Sequence, residues 1–150
     1  MGPMRTRILI IGLALALVPA GCRTASEEAL AAPIARIEGF GLTGTTGSLC
    51  LSFTNPNPVP LVVSSSFHTL SLGTKSIGII DDEEPIGLPA LGTVAHTVAL
   101  TPKVALAAQG YLHKNPGATQ ASVKSALQVI LAADDYITLK STGIGLIQPP

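Results

Sequence analysis

The chain has 150 residues, nine Lys plus Arg against nine Asp plus Glu, and only 12% of its positions are charged. With no basic block it lacks the clustered Lys and Arg that phosphate recognition requires, so no nucleic acid partner is expected. Three Phe, two Tyr and no Trp leave few aromatic faces for stacking on bases or sugars, and the length suits one domain.

At the N-terminus, Arg5 and Arg7 form a positive head before the uncharged apolar run Ile8 to Val18. A membrane span needs about 20 apolar residues, so this run is too short, and its length is that of a secretory signal peptide's apolar region. The following Leu17-Val18-Pro19-Ala20-Gly21-Cys22 resembles the lipobox of bacterial lipoprotein precursors. That resemblance implies removal of residues 1–21, a diacylglyceryl thioether on Cys22, and membrane lipid of the cell envelope as the partner of that cysteine. Pro19 departs from the pattern, which prefers Leu there. Arg23 is not the aspartate that favours inner-membrane retention in enteric lipoproteins, so the outer membrane is the expected side. Val18-Pro19-Ala20 also fits ordinary cleavage after Ala20. A periplasmic or secreted chain would then carry Cys22 as a free thiol able to pair with Cys50.

Losing residues 1–21 lowers Lys plus Arg to seven against nine Asp plus Glu, a side-chain balance of minus two. Residues 22–33 carry little bulk and end in Pro33, which reads as a lipidated tether; a short helix over Ser26 to Ala32 is the competing reading. Residues 34–150 are the expected folded domain.

Within it, alternation of apolar and polar residues dominates. Ile34 to Leu42 reads as a first strand, loosened by Gly39 and Gly41, and Gly44 to Gly47 as a turn. Ser48 to Thr54 alternates, with Leu49, Leu51 and Phe53 on one face and Cys50 among the polar set. Asn55-Pro56-Asn57-Pro58 stops that strand, because two prolines lack amide donors and restrict the residues before them. From Leu61 the apolar positions are odd (Leu61, Val63, Phe67) and switch to even at Leu70 and Leu72. One residue of slip is what a β-bulge produces, which places one near His68-Thr69. Gly73-Thr74 is a turn, Lys75 to Ile80 a short strand, and Asp81-Asp82-Glu83-Glu84-Pro85 a polar connection. Ile86 to Gly92 leads into a strand with Val94, His96, Val98 and Leu100 on one face.

Val123, Ala126, Leu127, Ile130 and Leu131 fall at i, i+3, i+4, i+7 and i+8, the stripe of an amphipathic helix, with Thr119 or Ser122 as its cap. Lys103 to His113 is undecided between helix and other structure. Tyr136 to Leu139 is the final strand, extended through Gly143 and Gly145 to Ile147. The sum is a mainly β chain, an antiparallel β-sandwich with one amphipathic helix in its C-terminal half.

Leu49-Cys50-Leu51-Ser52-Phe53-Thr54-Asn55-Pro56-Asn57-Pro58, then Pro60-Leu61-Val62-Val63 and Leu70-Ser71-Leu72-Gly73-Thr74, resembles the late embryogenesis abundant (LEA) type 2 family, also described as the water-stress and hypersensitive-response (WHy) domain. Ser76-Ile77-Gly78, Leu88-Pro89-Ala90-Leu91-Gly92 with the 94–100 strand, and Asp135-Tyr136-Ile137-Thr138-Leu139 continue the match in order over about 34–147. The chain ends soon after the tyrosine-led strand, where the family has more. The resemblance implies an immunoglobulin- or fibronectin-type sandwich and an association with desiccation and other stress. Asn55, Pro56, Asn57 and Pro58 are its motif, and their expected role is structural: Asn side chains satisfy backbone groups that a proline turn leaves open.

No catalytic constellation is legible. His68, His96 and His113 have no metal-ligand spacing, and His96 falls on an apolar strand face. The acidic run 81–84 lacks the glycine and alternating oxygens of a calcium loop and reads as a solvated hairpin tip. Asp134-Asp135 more simply ends the helix and opens the next strand than forms a catalytic pair. Gly41 to Gly47 has no Lys-Ser or Lys-Thr to cradle phosphate, and no Gly-x-Ser-x-Gly elbow occurs. Ser64-Ser65-Ser66 reads as an exposed or edge stretch, and Cys50 as a small strand residue. The expectation is a non-enzyme without cofactor or metal. Two alternatives stand beside it: a module binding an envelope protein partner, or a carrier of a small apolar ligand in a dry cavity beneath Val123, Leu127 and Ile130.

Overall fold

The structure, a computed structural model, describes residues 29–131 and 135–147. Among the described residues, eight strands and one helix follow in the order β1 (Ile34–Thr43), β2 (Thr46–Thr54), β3 (Leu61–Leu72), β4 (Lys75–Asp82), β5 (Ile86–Leu88), β6 (Thr93–Ala99), α1 (Pro102–Lys114), β7 (Gln120–Ile130) and β8 (Tyr136–Leu146). Strands β1, β2 and β6 form one antiparallel sheet in that spatial order. The other runs β4-β3-β7-β8, with the short β5 continuing the β4 side against the start of β3.

The chain is thus mainly β, and the two sheets enclose one core. Alternation puts Leu49, Leu51 and Phe53 of β2 and Val63, Leu70 and Leu72 of β3 into it, all with no exposed surface. Burying one such side chain is worth about 1.5–3 kcal/mol relative to leaving it exposed. Along one side of the sandwich β1 lies against β8. The approach is close because Gly143 and Gly145 of β8 have no side chain: a Cβ on Gly145 would sit 2.5 Å from the Ile37 carbonyl oxygen. On the opposite side β6 passes β4 and β5.

The helix is not where the apolar stripe placed it. Residues 120–130 form β7, paired along its length with β3 and β8, so the helical reading of Val123 to Leu131 is corrected. Ala121, Val123, Ser125, Leu127 and Val129 all point inward, a strict period of two. The polar Ser125 inside that set masked the alternation. With Val123 and Leu127 in the sheet, the expected cavity between helix and sheet at these residues falls away.

The undecided segment is the helix. Thr101 caps it, its hydroxyl accepting from the Val104 amide at 3.4 Å, and Pro102 occupies the first turn, where its missing N–H costs nothing. His113 and Lys114 lie in the last turn, the favourable end for positive charge. The helix rests on β4 and β2. Val104 meets Gly78, the Tyr111 hydroxyl lies over Gly73, and the Gln109 side chain donates to the Gly44 carbonyl.

The bulge in β3 also moves. Register against β7 slips between Val63 and Ser65, and against β4 between Leu70 and Ser71. The inward set therefore changes parity before Ser66, and Phe67 points outward at 45% exposure instead of joining Leu61 and Val63.

Candidate functional site

Cys22 and the signal segment lie outside the described residues. The last part of the expected tether is held by the body: Leu30 packs against the core, and Ala31 pairs with the Asn57 side chain. Its amide donates to Asn57 Oδ1 at 2.8 Å, and its carbonyl accepts from Asn57 Nδ2 at 2.9 Å.

That pairing is one part of a knot built by the Asn-Pro-Asn-Pro motif where β2 ends. Asn55 is fully buried. Its Nδ2 faces the carbonyls of Val59, Pro89 and Leu88 at 2.9, 3.1 and 3.3 Å. Its Oδ1 accepts from the Asn57 amide at 3.0 Å and from Asn57 Nδ2 at 2.8 Å. The Asn55 amide donates to the Gly92 carbonyl and the Leu91 amide to the Asn57 carbonyl, at 2.8 and 3.0 Å. Leu91 takes a left-handed φ of 53° to complete this turn. Two side chains thus tie residues 29–31, 55–59 and 88–92 together. The side-chain amides of Asn55 and Asn57 face inward and are occupied by groups of the protein itself.

A second polar group lies inside the sandwich. His68 in β3 is fully buried, with Nε2 2.8 Å from Ser66 Oγ and Nδ1 2.9 Å from Ser125 Oγ. Its ring stacks on Phe53 at a centroid distance of 6.2 Å. Burial pulls its pKa from 6.5 down to about 4, partly offset by the Asp82 carboxylate and reinforced by His96. The imidazole is neutral, one nitrogen donating and the other accepting, so both serine hydroxyls are satisfied. Ser66 is accordingly buried in a central strand, a correction to the reading of 64–66 as an exposed or edge stretch.

The third group joins the two sheets. Asp82 ends β4 on the same inward face as Ile80, opposite Ser66 of β3. His96 of β6 is 9% exposed, and its Nε2 lies 2.5 Å from Asp82 Oδ2. The Glu84 amide donates to Asp82 Oδ1 at 3.1 Å, fixing the carboxylate. One ligand atom each from Asp82, Glu84 and His96 falls within 4.8 Å of the others. The acidic run is therefore more than a solvated tip: Asp81, Glu83 and Glu84 are exposed, but Asp82 turns inward to the histidine. Separation in sequence hid this group. The parity of β4 and β6, which aligns Asp82 with Ile80 and His96 with Val98, was the signal that could have found it.

Cys50 is half-buried and has no disulfide partner among the described residues. Asp134 lies outside the described residues, while the Asp135 carbonyl accepts from the Leu131 amide at 2.7 Å. On the outer face of the larger sheet, Phe67, Thr69, Ile79 and Ala126 line a shallow groove with Lys124 and Lys140. Among the described residues, no helix is long and apolar enough to cross a membrane.

No family model and no curated protein matches the chain. Among solved structures, the solution structure of a protein from Arabidopsis thaliana is 17% identical, covering 80% of this chain and 83% of that one at a TM-score of 0.58. The two share a fold. The solution structure of a late embryogenesis abundant (LEA) protein is 22% identical over 79% of this chain and 71% of that one, at a TM-score of 0.49. A crystal structure of a protein from Archaeoglobus fulgidus is 14% identical, covering 79% and 98%, at 0.46. Likenesses that loose carry no argument.

Proposed function

We propose that the chain is a non-enzymatic lipoprotein of the bacterial cell envelope, related to the LEA type 2 proteins and associated with desiccation or osmotic stress. The observation that carries this reading is the knot at Asn55 and Asn57. The motif through which the sequence resembles that family is used to hold three segments of the body together, and its amides face the protein's own backbone. The fold shared with the Arabidopsis protein supports it. Among the other buried polar groups, His68 and its two serines are enclosed between the sheets and bonded to one another.

Membrane attachment rests on the sequence: Arg5 and Arg7, the Ile8 to Val18 run, and Ala20-Gly21-Cys22. Each buried methylene of an acyl chain contributes about 0.8 kcal/mol, and stable anchoring takes at least two chains or equivalent signals. A diacylglyceryl group on Cys22 meets that requirement. Mass spectrometry of the mature N-terminus tests it, the expected species starting at an acylated Cys22; an unmodified chain starting at Gly21 overturns it. A deletion strain tested for survival of drying and hyperosmotic medium tests the stress association, and unchanged survival under both removes it.

One observation favours a second reading, an envelope partner-binding module. The groove lined by Phe67 and Ile79 leaves apolar side chains at 45% and 62% exposure on the outer face of a sheet, apolar surface that a bound partner would cover. Crosslinking from position 67 that recovers one defined envelope protein would favour this reading.

A further inference from the structure

We propose that Asp82, Glu84 and His96 form a binding site for a divalent transition metal, zinc in the first instance, that clips the edge of one sheet to the edge of the other. The three residues come from the end of β4, the connection after it, and β6 of the opposite sheet. Their ligand atoms already lie within 4.8 Å of one another. A tetrahedral ion bound at about 2.0–2.2 Å from nitrogen and carboxylate oxygen sets its ligand atoms about 3.4 Å apart, so Glu84 has to close in while His96 Nε2 and Asp82 Oδ2, now 2.5 Å apart, open by about 1 Å to admit the ion. The closure falls mainly on Glu84, which is exposed and able to swing, whereas His96 and Asp82 are placed by their strands.

The donor set selects the ion. One imidazole nitrogen with two carboxylates suits zinc and its neighbours, whereas calcium takes six to eight oxygens, which three residues do not supply. Three protein ligands leave a coordination position for water. The site is also oriented: the Glu84 amide holds Asp82 Oδ1 at 3.1 Å, which turns Oδ2 toward His96. Such outer hydrogen bonds set ligand geometry in metal sites. Charge points the same way. Among the described residues, His96 is the one basic side chain that contacts Asp82, and no lysine or arginine lies within salt-bridge distance of either carboxylate. On metal binding, His96 Nε2 would exchange its hydrogen bond to Asp82 for a bond to the ion, with the ring proton on Nδ1.

The test is calorimetric titration of the full chain, stripped with chelator and with its thiols blocked by alkylation, against zinc, calcium and magnesium chlorides. The expected result is one zinc per chain, a melting temperature that rises with zinc concentration, and no comparable response to calcium or magnesium. Glu84→Gln changes an exposed residue and leaves the fold intact, so it is the decisive variant, with Asp82→Asn beside it. Each is expected to weaken zinc binding by at least about tenfold, the scale on which metal sites respond to altered surroundings, while His113→Gln, outside the site, binds as the parent does. Absence of zinc binding overturns the proposal, as does binding that Glu84→Gln and Asp82→Asn leave unchanged or that calcium reproduces.

Discussion

Replacing Asn55 with alanine is the sharpest test of the structural role given to the Asn-Pro-Asn motif. The substitution removes a fully buried amide that serves the carbonyls of Val59, Leu88 and Pro89 and receives two hydrogen bonds from Asn57. Not all of these groups are stranded by its loss. Val59 is 45% exposed, so water reaches its carbonyl, and the Pro89 contact is only part-buried. The Leu88 carbonyl and the Asn57 amide are buried, and an unsatisfied buried group costs about 1–3 kcal/mol. Two such groups give a loss of about 4 kcal/mol, a large share of the roughly 5–15 kcal/mol that holds a domain together. Urea unfolding followed by circular dichroism should show the midpoint falling with little change in slope. Asn55→Asp should be worse at neutral pH, since it turns an acceptor toward the three carbonyls that the amide now serves. A loss below about 1 kcal/mol for Asn55→Ala would refute the argument, because the knot would then hold without its central side chain.

Other outcomes follow from single groups. His68 is held near pKa 4 by burial, against 6.5 unfolded, so the unfolded chain binds the extra proton first. Full stability is therefore present above pH 6.5 and is lost as pH falls toward 4, by about 2 kcal/mol at pH 5 from this group alone. Urea melts across that range check it, and His68→Gln should flatten the dependence. Gly145→Ala puts a Cβ 2.5 Å from the Ile37 carbonyl oxygen and 2.6 Å from its Cβ, and should cost about 1–3 kcal/mol as β1 is pushed off β8. Gly110→Ala in α1, which meets nothing within 4 Å, should instead add up to about 1 kcal/mol in the same melts. Cys22→Ser should move the protein from the membrane to the soluble fraction after ultracentrifugation of lysed cells.

Much of the first half of the fold was legible because β2 alternates without interruption and the strands end on strong punctuation. Leu49, Leu51 and Phe53 run directly into two prolines, and Gly73 takes the positive φ of 54° that its turn requires. The second half was harder for an identifiable reason. Val123 and Leu127 lie four apart, which satisfies a helix and a strand alike, and the residue that would have decided between them, Ser125, is polar. Its inward position is natural only once His68 is known to face it from the neighbouring strand. The signal for α1 was present in Thr101-Pro102, an N-cap followed by a first-turn proline, but Lys103 to His113 has only Val104, Ala105 and Ala108 buried, a stripe too small to stand out.

The residues that sequence reasoning left unassigned are linked by that same fact. Ser125 and Ser66 bracket His68, Ser66 lies opposite Asp82, and Asp82 meets His96. A polar file therefore runs from β7 through β3 and β4 to the far sheet, through a core that is mainly apolar. Local pattern cannot report such a file, because each member reads as an isolated exception on its own strand: a serine in an apolar face, a histidine at a core position, an aspartate at a strand end. Register converts the exceptions into partners. A buried polar group without a partner costs enough to be removed, so several of them at inward positions on different strands should be read together, as evidence about which strands are neighbours. By that rule, the inward serine of β7 and the inward histidine of β3 argue for the β3–β7 pairing before any coordinate is known. Asp82 and His96 in turn argue that β4 and β6 face each other across the sandwich.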